Sequence, residues 1–126
     1  MSLKEFSFDI GNCPGALVDI AERLGAEHVN IEGIAGLTVL EEGVVGMITS
    51  ETGTTRKLLR ELGIDFEERE GLVLEVPNHP GELAHVLQRL SEDRINVLSV
   101  YAGVEKNQLI ITVDQTDGAK RILHLE

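Results

Sequence analysis

Basic residues are scarce in this sequence: 11 Lys and Arg stand against 22 Asp and Glu, a formal net charge of −11 over 126 residues. Aromatic residues are scarcer still, 3% of the chain, with no Trp. A surface this acidic repels phosphate backbones and lacks the stacking side chains of single-strand readers, so nucleic acid and anionic membrane are excluded as direct partners. Cysteine occurs once, as Cys13. No internal disulfide can form, and a reducing compartment is expected. No apolar run approaches the roughly 18 residues of a membrane span. Met1-Ser2-Leu3-Lys4-Glu5 is too short and polar before Phe6 to be a secretory leader. What remains is a cytoplasmic globular protein, and 42% hydrophobic with 26% charged residues is the composition of a folded one.

What is present is a repeat. Asn12-Cys13-Pro14-Gly15-Ala16-Leu17 returns as Asn78-His79-Pro80-Gly81-Glu82-Leu83, 66 positions later. The same offset carries Arg23-Leu24 onto Arg89-Leu90 and Asn30 onto Asn96 without a gap. Self-similarity of this length in a short chain reads as duplication. The expected halves are residues 1–70 and 71–126.

Each half parses the same way. Phe6 to Ile10 alternates apolar and polar, the period of a half-buried strand, and Leu72 to Val76 is its counterpart. Pro14 and Pro80 stand where a helix can begin, since the missing N–H costs nothing in a first turn. Leu17, Ile20, Ala21 and Leu24 then follow helical spacing, as do Leu83, Val86, Leu87 and Leu90, predicting core-facing stripes. Extended stretches follow at Val29–Leu40 and Ile95–Val104. Turns are expected at Glu41-Glu42-Gly43 and Glu105-Lys106-Asn107, with return strands at Val44–Thr49 and Leu109–Val113. Second helices are expected at Thr54–Leu62 and from Thr116 to about Leu123. The first half closes with a charged strand, Asp65–Glu70, giving βαββαβ. The second stops after its helix, giving βαββα. Only Glu70-Gly71 lies between the two neighbouring candidate strands.

The repeated pattern, a polar residue, then x-Pro-Gly-x-Leu, an amphipathic helix and Val/Ile-Asn-Ile/Val, resembles the ACT domain, a small ligand-sensing module. It reads here as Asn12 to Leu17 with Val29-Asn30-Ile31, and as Asn78 to Leu83 with Ile95-Asn96-Val97. The resemblance implies an α+β chain of two ferredoxin-like repeats, an antiparallel sheet with helices on one face, and a second repeat lacking its last strand. It also implies pairing of domains, with amino acids bound at the domain interface, and therefore a homodimer. Many members carry Asp at the first motif position. Asn12 and Asn78 keep the hydrogen bonding but lose the charge that favours a ligand ammonium.

The Pro-Gly turns also have a mechanism of their own. A helix N-terminus presents open N–H groups and partial positive charge to a carboxylate. Gly15 and Gly81 lack the Cβ that would keep a ligand off the backbone. The expected ligand-binding residues are Asn12, Cys13, Pro14, Gly15, Ala16 and Asn30 in the first repeat. Asn78, His79, Pro80, Gly81, Glu82 and Asn96 are their counterparts. Ile34, Ala35, Val100 and Tyr101 are expected near the pocket or interface. The competing reading is that Pro-Gly merely starts a helix, and that Asn30 and Asn96 are turn residues tolerant of left-handed geometry.

No catalytic constellation, metal site or cofactor motif is visible. An acylphosphatase-like site would need an arginine after the first strand, and a metal chaperone would need C-x-x-C there; neither exists. The expectation is a non-catalytic regulatory protein, not an enzyme, acting through itself or on a metabolic enzyme. The alternative is a ligand-free interaction or structural module of the same fold.

Overall fold

The computed structural model describes residues 3–11, 15, 17–77, 80–102 and 107–125. In chain order they form β1 (Leu3–Gly11), α1 (Val18–Ala26), β2 (Ile31–Val39), β3 (Glu42–Thr49), α2 (Thr52–Glu61), β4 (Phe66–Glu75), α3 (Glu82–Glu92), β5 (Val97–Ala102), β6 (Gln108–Val113) and α4 (Thr116–Ile122). The chain divides into two compact units, Leu3–Arg69 and Glu70–Glu126. Each is the same βαββα unit of antiparallel strands, so the fold is a tandem of ferredoxin-like repeats.

In the first unit β3 lies between β1 and β2. The register pairs Phe6 with Met47 and Phe8 with Val45, so these four side chains share one face. Ile20 and Leu24 of α1 and Leu58 and Leu59 of α2 pack on that face, and all eight are buried. Both helices therefore cover one side of the sheet. Phe66 meets Phe6 edge to face at 5.5 Å. The second unit repeats the scheme with β6 between β4 and β5. Leu72, Leu74, Leu109 and Ile111 face Val86 and Leu90 of α3 and Ala119 of α4.

The duplication extends to irregularities. Each β2-type strand carries a bulge at the same place, between Ile31 and Gly33 and between Val97 and Ser99. All four helices close alike. The residue past the helix end takes a positive φ, and the next residue's N–H reaches back to the last turn: Val29 to Leu24, Ile64 to Leu59, Ile95 to Leu90 and Leu125 to Lys120, at 2.8–3.0 Å.

Several expectations shift. The candidate strands on either side of Glu70-Gly71 are one continuous strand, β4. The β2–β3 turn is Leu40-Glu41, at φ 48° and 70°, rather than Glu41-Glu42-Gly43. Pairing of Val39 with Glu42 leaves room for only two turn residues, which must both be left-handed. Pro80 does not open α3, which begins at Glu82, and Pro14 lies outside the described residues. Gly15 and Gly81, at φ +87° and +91°, lie off the helical path just before α1 and α3. At ψ −11°, Gly81 has the geometry of the third residue of a type II turn. Leu17, expected in the core, is instead 38% exposed, Leu83 is 40% exposed, and Ala21 is exposed as well. The expected turn over 105–107 lies mostly outside the described residues. No strand follows α4 among them.

Candidate functional site

The late start of α1, at Val18, leaves a space at one end of the first unit. A cavity of about 490 Å³ opens there. One wall is the end of β1, the turn and the first residue of α1, through Ile10, Gly11, Gly15, Leu17 and Val18. Opposite stand Ile34, Gly36 and Thr38 of β2. Their register with Met47, Val45 and Gly43 puts them on the helix-bearing face. Leu37, Gly43, Val44 and Val45 complete the lining.

Four glycines line this space, Gly11, Gly15, Gly36 and Gly43. A Cβ on Gly15 would meet nothing within 4 Å, so the void lies directly over the turn. A Cβ on Gly43 would come within 3.1 Å of Ile10 Cγ1 and 3.3 Å of its carbonyl oxygen, so β1 and β3 approach this closely only through glycine. Gly36 would make only ordinary contacts. No side chain caps the N-terminus of α1 or α3 among the described residues. Each first turn also carries an acid, Asp19 in α1 and Glu82 in α3.

Of the residues expected to bind ligand, Gly15 lines this cavity. Asn12, Cys13, Pro14, Ala16, Asn78 and His79 lie outside the described residues. Asn30 and Asn96 are exposed at the entry to β2 and β5, and both are engaged with the strand beyond. Asn30 N–H donates to Ser50 Oγ at 2.9 Å, and its carbonyl accepts from Ser50 N–H at 2.9 Å. Asn96 N–H donates to Asp114 Oδ1 at 3.0 Å, its amide Nδ2 donates to Oδ2 at 3.3 Å, and its carbonyl accepts from Asp114 N–H at 3.1 Å. The left-handed residues are not these asparagines but His28 and Arg94, two positions earlier.

In the second unit Pro80 and Gly81 are exposed and Glu82 is half-buried. A cavity of about 690 Å³ lies beside Glu75, Val76, Pro77, Asn107 and Gln108. Val76 and Pro77 occupy the repeat positions of Ile10 and Gly11, but here the wall is polar. Pro80, Gly81 and Glu82 do not line it.

The sequence pointed to Ile34 but not to Ile10, Val18, Thr38 or Gly43. Their signal is the strand register, which places alternate residues of β2 opposite the turn. Ala35, paired with Gly46, falls on the other face. Glu67 and Glu68 are paired with Arg69 and Arg56, the latter at 2.7 Å. Among the described residues no group of three or more His, Cys, Asp or Glu could hold a metal ion. No helix among them is long and apolar enough to cross a membrane.

A duplicated βαββα unit of antiparallel strands with its helices on one face defines the class of tandem ferredoxin-like folds. The family model described as the ACT domain pair matches residues 1–126, and the chain belongs to that family. No curated protein matches the sequence. Among solved structures, a protein from Bacteroides thetaiotaomicron is 24% identical with a TM-score of 0.87, over 98% of this chain and 88% of that one. The regulatory subunit of aspartate kinase from Thermus thermophilus, in its ligand-free form, is 12% identical with a TM-score of 0.72, over 98% and 91%. A structure of aspartokinase alpha and beta subunits is 16% identical with a TM-score of 0.68, over 97% and 90%. These likenesses are of fold.

Proposed function

We propose that this chain is a non-catalytic, cytoplasmic regulatory protein that binds a small amino acid or similar carboxylate. Binding takes place where one ACT domain meets another in a homodimer, and a metabolic enzyme is the class of target. The observation that carries the reading is the cavity beside Gly15, open to the start of α1, which no side chain caps among the described residues, and bounded by β2. A carboxylate fits the helix N-terminus, and the ligand's remainder faces the strand. Neighbours described as regulatory subunits of aspartate kinase support the regulatory half of the reading. To transmit anything, the ligand must favour one pairing of domains over another.

One observation favours the ligand-free alternative. β2 exposes Ile34, Leu37 and Val39, and Leu37 is 63% exposed. Such a strand can serve as a contact surface with no ligand at all. A thermal-shift screen against the common amino acids separates the two. At a hundredfold excess over Kd, a ligand stabilises the chain by about 2.7 kcal/mol, and Gly15→Leu removes the shift. A flat screen with a metabolite-independent partner supports the interaction module instead.

A further inference from the structure

The cavity beside Gly15 is chemically one-sided. Charged residues make up 26% of the chain, yet none of the described residues lining this space is charged. Its wall is aliphatic, from Ile10, Leu17, Val18, Ile34 and Val45, and the one side-chain hydroxyl belongs to Thr38. Three of these apolar side chains stand in water: Leu17, Val18 and Ile34 are all among the exposed hydrophobics, Val18 at 50% and Ile34 at 48%. An apolar surface held open around a concavity gains free energy only from an apolar occupant.

The opposite case shows what the lining excludes. A ligand with a charged side chain would shed its water here and find no ion of opposite sign among the described lining residues, a penalty with nothing to offset it. The second unit supplies an internal contrast. Its cavity at the corresponding strand end has Glu75, Asn107 and Gln108 in the wall, groups that could partner a polar ligand.

We infer that the first repeat selects a small carboxylate with an uncharged aliphatic body, a class comprising the aliphatic amino acids and their 2-oxo acids. The inference rests on the reading that the Gly15 cavity is the ligand site. The carboxylate lies at the start of α1 and the aliphatic body lies against Leu17, Val18 and Ile34. The two sources of this chemistry differ in the group beside the carboxylate, ammonium or carbonyl, and no acidic residue lines the cavity to partner the ammonium among the described residues.

The test is calorimetric titration of the full chain with leucine, valine, 4-methyl-2-oxopentanoate, lysine and aspartate. At least one aliphatic compound should bind about tenfold or more tightly than lysine and aspartate. Leucine and its oxo acid, compared directly, identify the source. Val18→Glu puts a carboxylate on the cavity wall at a half-exposed helix start, and should weaken that binding about tenfold or more while the circular dichroism spectrum stays unchanged. Ile34→Asp, on an exposed strand, should do the same from the opposite wall. Lysine or aspartate binding as tightly as the aliphatic compounds overturns the inference, as does aliphatic binding unaltered in both variants. If a charged amino acid binds and Gly15→Leu removes it, the ligand-site reading stands and only the aliphatic assignment falls. If none of the five compounds binds, and no other amino acid does, both fall.

Discussion

Three of the four helices end on a residue that favours neither Gly nor Asn chemistry: His28, Arg94 and His124 hold φ of 59°, and only α2 ends on a glycine, Gly63. A side chain in the left-handed region costs roughly 1 kcal/mol or more relative to glycine. Arg94→Gly is expected to raise stability by about 0.5–1 kcal/mol, because the carbonyl that accepts from Gln115 Nε2 at 3.1 Å is retained. Urea unfolding of the variant, compared by its midpoint, checks this. Gly43 behaves in the opposite sense. The Cβ of Gly43→Ala would strike the Ile10 backbone, so β1 and β3 must part, at a cost of about 1–3 kcal/mol. The same measurement reads that loss. Gly43 was legible only as a turn residue, because its crowding depends on which residue of β1 lies opposite, and that is set by register.

At the scale of elements, helical spacing identified the buried residues Ile20, Leu24, Val86 and Leu90, and alternation identified β1 and the first strand of the second repeat. Spacing misassigned Leu17 and Leu83, since a stripe drawn from the proline continues through a turn that glycine bends away from the helix axis. The β2–β3 turn was placed one residue late because Leu40-Glu41 has none of the chemistry that a two-residue turn prefers. Leu40 is 92% exposed there, at positive φ. Replacing Leu40-Glu41 with Asn-Gly is predicted to stabilise the unit by about 1 kcal/mol, and the rise in thermal midpoint gives the check. The proposed binding walls were half legible for the same reason. The Pro-Gly motif marks the turn directly, whereas the facing wall belongs to a strand whose orientation follows from pairing with β3.

For the molecule as a whole, the duplication was the most readable feature, because a 66-residue offset needs no structural knowledge to see. It persists in the paired bulges and helix closures. The acidic excess was legible too, but its consequences are local. Lys120 donates to Glu70 at 2.7 Å, and that hydrogen bond, then the carboxylate's charge, raises the ammonium's pKa above its ordinary value. A raised folded-state pKa adds stability that is complete below the unfolded value and is lost as pH climbs through the folded one. The pair's contribution should therefore be full at neutral pH and fade in the alkaline range. Glu70→Gln should flatten that alkaline dependence in a series of melting curves.

The proposed function rests on the cavity beside Gly15 being the ligand site. The most direct test is residue-resolved: amide chemical shifts of the labelled chain followed by NMR during titration with leucine. The shifts should change at Gly15, Leu17 and Val18 and along Ile34–Thr38, and stay fixed at Glu75, Val76 and Gln108. Saturable changes confined to the second group, or no saturable change with any amino acid, would contradict a ligand site at the first glycine turn.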